Sequence, residues 1–339
     1  MKLTLALALT LAAPVQAQDT SQAYPWRLSY FPYITASPND GVMAMGRVLF
    51  FRQSRWDDRA SLHSGVAIEG GYSTKNSWLA RVRGDFPRLA DGWRVQASVE
   101  AAKLGMYVGD ASATRQLASV DVTRHVDGPV SVALRGDVSH LVVGSFSATS
   151  EIELRGRVAL VLDFRDREYD THNGALIQGG GFLGSTNGMK GWYALAAGWV
   201  PLSEKTRVTA RGGVRIGDHL TSEGTRTVPA WEDAFVLGGG PESNRALVAG
   251  SKTNTKMMLA SAELRHDLVT FPGGALALLA FVDGSREYCD CAYFAEHKEW
   301  TVGPGAGASL RLLRNAILTA TVARADGATR VYVSSGWSW

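Results

Sequence analysis

Strict alternation of apolar and polar residues runs through this chain in segment after segment of roughly ten to fourteen residues, and few folds tolerate it. From Val130 to Val138 one parity reads Val130, Val132, Leu134, Gly136 and Val138, and the other reads Ser131, Ala133, Arg135 and Asp137. Ile152, Leu154, Val158, Leu160, Leu162 and Phe164 oppose Glu153, Arg155, Arg157, Asp163 and Arg165 in the same way. Trp93 to Glu100 and Arg207 to Ile216 repeat the pattern. Because successive side chains of a strand point to opposite faces, each segment predicts a strand with one greasy and one charged side.

A soluble sandwich alternates too, with one face on a core and the other in water. Length separates the two. Strands of soluble sheets usually have about five or six residues, whereas about nine to eleven cross a bilayer at a tilt. Aromatic residues near strand ends, as in Trp78 to Phe86 and Trp192 to Val200, fit the girdles at membrane interfaces. Of 339 residues, 45% are hydrophobic and 20% charged. That excludes disorder, and no apolar run is long enough for a membrane helix.

The N-terminus carries an export signature. Lys2 is followed by the apolar stretch Leu3 to Ala13 and the small-residue site Val15-Gln16-Ala17, which reads as a secretory signal peptide over residues 1–17. Residues 18–26 then form a short periplasmic segment, and 27–339 the barrel. Strands are expected near 27–37, 42–51, 62–71, 77–86, 92–103, 114–124, 130–143, 151–165, 174–183, 191–200, 206–217, 257–270, 274–286, 299–312, 316–324 and 329–339. The fold class is all-β, a 16-stranded antiparallel transmembrane β-barrel in the bacterial outer membrane. Short turns lie on the periplasmic side, and the 218–256 connection is a long external loop able to fold inward. The last strand, Arg330 to Trp339, ends on an aromatic residue, as chains taken up by the barrel-assembly machinery do.

Charge points to no nucleic-acid partner: 35 Lys and Arg against 32 Asp and Glu leave only +3. No cofactor, metal or catalytic residue is expected. The histidines are His63, His125, His140, His172, His219, His266 and His297. None sits beside a nucleophile in a hydrolase-like context, and no G-x-S-x-G elbow occurs. His172 is expected in a turn and His140 in the lumen. Cys289 and Cys291 can join into a small disulfide loop in an oxidising compartment. Inward parity collects Arg81, Asp85, Glu100, Arg135, Asp137 and Arg157, a wall compatible with an aqueous channel.

Three segments together resemble the outer-membrane insertase and surface-antigen superfamily, the BamA and TamA type, over nearly the whole mature length. The first is Leu162-Asp163-Phe164-Arg165-Asp166 followed by Thr171-His172-Asn173-Gly174, similar to the family's D-x-R-D…P-x-x-G turn. Its functional positions here are Asp163, Arg165, Asp166 and Gly174, and Asp170 or a neighbour stands in for the proline. The second is Phe235 to Gly239 followed by Asn244-Arg245-Ala246-Leu247, similar to a glycine pair and an R-G-[YF] loop tip, with Ala246 and Leu247 replacing the last two residues. The third is Ala262 to Arg265 with Phe281-Val282-Asp283-Gly284, similar to paired inner-wall elements.

The resemblance implies that Arg245 is held by Glu263 and Asp283, beside Phe281, so that the loop is locked inside the pore. Parity puts both acids inward. Read from the residues alone, without the resemblance, Arg245 is a cation on a solvated external loop and the two acids are ordinary lumen residues. Relatives normally carry periplasmic POTRA domains, for which the span from Gln18 to the first strand leaves no room. A separate periplasmic partner protein is then expected beside the outer-membrane lipid. The implied function is protein insertion or translocation; a passive porin or a structural surface antigen is the alternative.

Overall fold

The computed structural model describes residues 25–54, 59–105, 112–143, 150–185, 190–218, 243–248, 256–271, 274–288, 299–312 and 316–335. The signal peptide, nearly all of the 18–26 segment, both cysteines, Phe235 to Gly239 and residues 336–339 lie outside them.

Sixteen strands form one closed antiparallel barrel in which every strand pairs with its sequence neighbours. They are β1 (Trp26–Ser37), β2 (Gly41–Gln53), β3 (Leu62–Ser73), β4 (Trp78–Ala90), β5 (Trp93–Gly105), β6 (Ser112–Asp127), β7 (Val130–Val143) and β8 (Ser150–Asp163). The second half comprises β9 (Gly174–Gly184), β10 (Lys190–Pro201), β11 (Thr206–Asp218), β12 (Lys256–Phe271), β13 (Gly274–Tyr288), β14 (Thr301–Leu312), β15 (Ala316–Ala325) and β16 (Ala328–Ser335).

Alternation places the apolar parity outside. Leu134 and Ile152 are 56% and 69% exposed, while Asp137 and Glu69 on the other parity are 9% and 4% exposed. Such an apolar exterior on a closed barrel is suited to lipid rather than water. The lumen is lined by ion pairs that neutralise one another. Glu69 accepts from Arg47 at 2.5 Å and from Arg81 at 2.5 Å, Arg155 meets Asp137 at 2.6 Å, and Arg115 meets Glu100.

Three expectations are corrected. The strand expected over 77–86 ends later: β4 continues to Ala90 with a register irregularity between Phe86 and Ala90. Pro87, which has no N–H to donate to the ladder, lies in that irregular stretch. His140 does not face the lumen. It is directly opposite Ile152 and shares the outward parity of Val138. At the other end, β8 stops at Asp163, leaving Phe164 and Arg165 in the connection. Of the two tryptophans in β10, Trp192 faces outward and Trp199 is buried.

Among the described residues, β1 and β16 share one register pair, Ala36 with Val333, whereas β1 and β2 are paired from Trp26 with Arg52 to Ser37 with Gly41.

Candidate functional site

The tip of the β11–β12 connection, residues 243–248, lies inside the barrel. Asn244 and Ala246 are 0% exposed, and Arg245 is buried with them. The Arg245 guanidinium addresses Asp283 with two parallel bonds, Nε to Oδ2 and Nη2 to Oδ1, both 2.8 Å. Its backbone N–H donates to the same Oδ2 at 2.9 Å. Nη1 reaches Glu263 Oε2 at 2.5 Å, and the guanidinium carbon stands 3.4 Å from the Phe281 ring centroid. Ser261 donates to Asp283 Oδ1 at 2.6 Å. A planar fork matches a carboxylate bidentately, which an ammonium cannot do.

Strand alternation explains this convergence. Ser261, Glu263, Phe281 and Asp283 all have inward parity, and Glu263 pairs with Phe281 as Ser261 pairs with Asp283. Together they form a square of side chains on two adjacent strands, into which one guanidinium fits.

Residues that the sequence did not single out extend the hold around the wall. Asn244 Nδ2 donates to Ser285 Oγ at 2.9 Å and to the Thr301 carbonyl at 3.0 Å. Arg211 donates to the Ser243 carbonyl at 3.1 Å. On the last strand, Arg330 donates to the Ala246 carbonyl at 2.7 Å and Tyr332 to the Leu247 carbonyl at 2.7 Å. Ala246 packs with Phe281, Ala323 and Ala325. A six-residue tip thus touches every strand from β11 to β16. The parity of Arg330 and Tyr332, opposite to that of Val331 and Val333, was the available signal.

The β8–β9 connection enters the lumen from the opposite mouth. Asp163 accepts from Arg165 Nε at 2.9 Å and Nη2 at 3.0 Å, while Asp166 Oδ1 accepts the amides of Arg167, His172 and Asn173 at 2.9, 3.1 and 3.3 Å. Gly174 has φ of 119°, and a Cβ there would lie 2.3 Å from the Phe164 carbonyl oxygen. Only glycine fits that approach. Asp170 has φ of 47°, a left-handed conformation that proline cannot adopt.

Beyond its turn chemistry, this segment is tied to distant walls. Glu168 receives Arg94 of β5 at 2.8 Å; Asp170 receives Arg207 of β11 at 2.5 Å and also contacts Arg311 of β14. In the strand order β5 and β14 lie nearly opposite one another. The connection is therefore a strap across the short-turn mouth, with Tyr169, Asp170 and Thr171 buried.

His172 completes it. Nδ1 lies 2.8 Å from the Asp170 carbonyl and Nε2 3.2 Å from Arg207 Nη1. A neutral ring protonated at Nδ1 satisfies both, donating to the carbonyl and accepting from the guanidinium. Burial, then the facing Arg207 charge, holds the imidazole below its ordinary pKa. Among the described residues no group of His, Cys, Asp and Glu could hold a metal ion.

No protein-family model matches the chain, and no curated protein matches it in sequence. Solved structures do. BamA from Haemophilus ducreyi lacking POTRA domains 1–3 is similar with a TM-score of 0.64 at 13% identity, over 93% of this chain and 71% of that one. CdiB from Escherichia coli is similar with a TM-score of 0.66 at 12% identity, and CdiB from Acinetobacter baumannii with 0.56 at 11%. Each match covers 93% of this chain, which spans 64% and 66% of the two CdiB chains, under two thirds of their length. At these identities the likeness is one of fold: the sixteen-stranded outer-membrane barrel that BamA and CdiB share.

Proposed function

We propose that this barrel, built on the fold of BamA and CdiB, is a non-enzymatic protein-translocation or membrane-insertion barrel of the outer membrane whose resting state is closed by the Arg245 tip. The observation that carries the reading is the Arg245–Asp283–Glu263 cluster. A loop used only for surface display has no need to bury a guanidinium with two carboxylates deep in a lumen. Desolvating those charges is costly, and removing one partner leaves the others uncompensated, typically at about 3–5 kcal/mol. The lock is the structural role assigned to Arg245, Glu263, Phe281 and Asp283.

The position of the β1–β16 seam supports the same reading, because the strand on its C-terminal side is also the strand whose Arg330 and Tyr332 hold the tip. Release of the tip would loosen the wall next to the seam. A client polypeptide delivered by a separate periplasmic protein is the partner this requires, and the barrel-assembly machinery is the expected route by which the chain itself is inserted.

Planar-bilayer recording of the purified barrel, with and without Arg245→Ala, tests the proposal. A small, irregular conductance in the wild type that rises modestly but reproducibly in the variant is the expected result. A steady, large conductance in the wild type, unchanged by the substitution, would overturn it in favour of a porin.

A further inference from the structure

Several arginines of the lumen wall are held by carboxylates: Arg47 and Arg81 by Glu69, Arg94 by Asp85 and Arg155 by Asp137. Two arginines of the outer wall are held differently. Arg52 of β2 and Arg124 of β6 take the outward parity and lie near the strand ends at the short-turn rim. Each stands directly opposite a tryptophan that opens the neighbouring strand, Trp26 of β1 for Arg52 and Trp93 of β5 for Arg124. The guanidinium carbons lie 4.9 and 5.1 Å from the indole centroids. Trp26 is also stacked on Phe50, with centroids 4.5 Å apart and ring planes 6° from parallel.

Among the described residues neither guanidinium has a carboxylate within ion-pair distance. The Arg52 side chain has no hydrogen-bond acceptor, and its Nε is buried. Arg124 donates to the backbone carbonyl of Asp91 at 2.6 Å and to no carboxylate. A cation pressed against a ring, partly dehydrated and without a protein countercharge, keeps donors for an anion from outside the chain. Stacking occupies the face of the guanidinium and leaves its edge, which is the part that takes a phosphate by two parallel bonds. The ring also holds the fork in place before the anion arrives, so less side-chain freedom is lost on binding.

The surroundings narrow the source of that phosphate. Leu28, Tyr30 and Phe50 continue the outer wall from Trp26 and Arg52 towards the middle of the barrel and are exposed, as is Val120 beyond Arg124. Acyl chains lying on this wall bring their headgroup to the strand ends. A choline would meet a guanidinium where it needs a bare ring face, and an ethanolamine ammonium would meet no carboxylate. In the strand order β3 and β4 separate the two pairs, so they act as two sites. We propose that each pair, Trp26 with Arg52 and Trp93 with Arg124, is a binding site for the phosphate of a phospholipid of net negative charge in the leaflet at the short-turn rim. The proposal uses only the membrane placement of the barrel and is independent of the translocation reading.

Native mass spectrometry of the folded full chain in detergent tests it, with phosphatidylglycerol and phosphatidylcholine of the same acyl chains as probes. The wild type should retain phosphatidylglycerol under activation that strips phosphatidylcholine. Arg52→Gln and Arg124→Gln should each weaken one site, and R52Q/R124Q both, by about fivefold per site, the worth of one cation at an anionic surface. Equal retention of phosphatidylglycerol by R52Q/R124Q, or equal retention of the two lipids by the wild type, would overturn the sites. So would release of the lipid by inorganic phosphate but not by chloride of equal ionic strength, which would identify free-phosphate sites instead. If the glutamine variant fails to migrate as a heat-modifiable barrel, R52K/R124K decides. It keeps both charges and loses the fork, so weaker retention supports the sites and retention equal to the wild type refutes them.

Discussion

Gly303 and Ala246 occupy one another's space: a Cβ built on Gly303 would stand 2.1 Å from the Cβ of Ala246. The wall is therefore recessed at β14 where the loop tip presses against it. Substitution of Gly303 by Ala cannot be absorbed by rotation of a flexible side chain, because Ala246 has none. We expect Gly303→Ala to dislodge the tip while the ladder persists, seen as raised conductance with unchanged heat-modifiable migration. An unchanged conductance would mean that the tip tolerates the displacement and does not occlude the pore.

Arg245→Ala and Arg245→Lys should differ in a defined way. The first leaves Asp283, which is 0% exposed, without its countercharge, and should cost about 3–5 kcal/mol in urea unfolding. The second keeps a charge but forfeits the paired bonds to Asp283, and should recover only part of the loss. Equal stability of both variants with wild type would place Arg245 outside any tight cluster.

Much of this was legible in the sequence because period-two patterning fixes faces. Strand number and the inward parity of Glu263 and Asp283 follow directly from it. Contacts across the lumen do not. Glu168 and Asp170 sit in a stretch that reads as a hydrophilic turn, and their partners Arg94, Arg207 and Arg311 are ordinary inward arginines far away in the chain. Nothing local distinguishes a turn lying at the rim from one folded back over the mouth. The end of β4 was misplaced for a related reason: Pro87 signals a break, and an irregular ladder accommodates it without one.

The strap should respond to pH through His172. Its folded-state pKa lies below the ordinary value of about 6.5, so between those two values the unfolded chain binds more protons than the folded one and stability rises with pH. The contribution is complete above the unfolded value. It is lost as pH falls through that window, because protonation of Nε2 sets two donors, and two positive charges, against each other at Arg207. Melting temperature measured from about pH 7 down towards pH 5 should fall for the wild type, and His172→Gln should flatten that part of the curve. An identical slope in the variant would assign the pH dependence to other groups.

Two occlusions in series have a consequence that neither has alone. The Arg245 tip lies in the lumen against β11 to β16, and the Glu168–Asp170 strap crosses the short-turn mouth. Asp170→Asn removes the charge that buried Arg207 and partly buried Arg311 share, leaving both guanidinium groups underpaired, at a cost of about 1–3 kcal/mol. The strap is then displaced, but an ion entering at that mouth still meets the tip; conversely, Arg245→Ala clears the tip and leaves the strap. Resistances in series are dominated by the larger, so each single variant should conduct modestly. The double variant should conduct more than the sum of the two single increments. Single-channel recording of all four proteins supplies the comparison. Simple additivity would place the two segments on parallel routes through the barrel, and full conductance in Arg245→Ala alone would show that the strap leaves the short-turn mouth open.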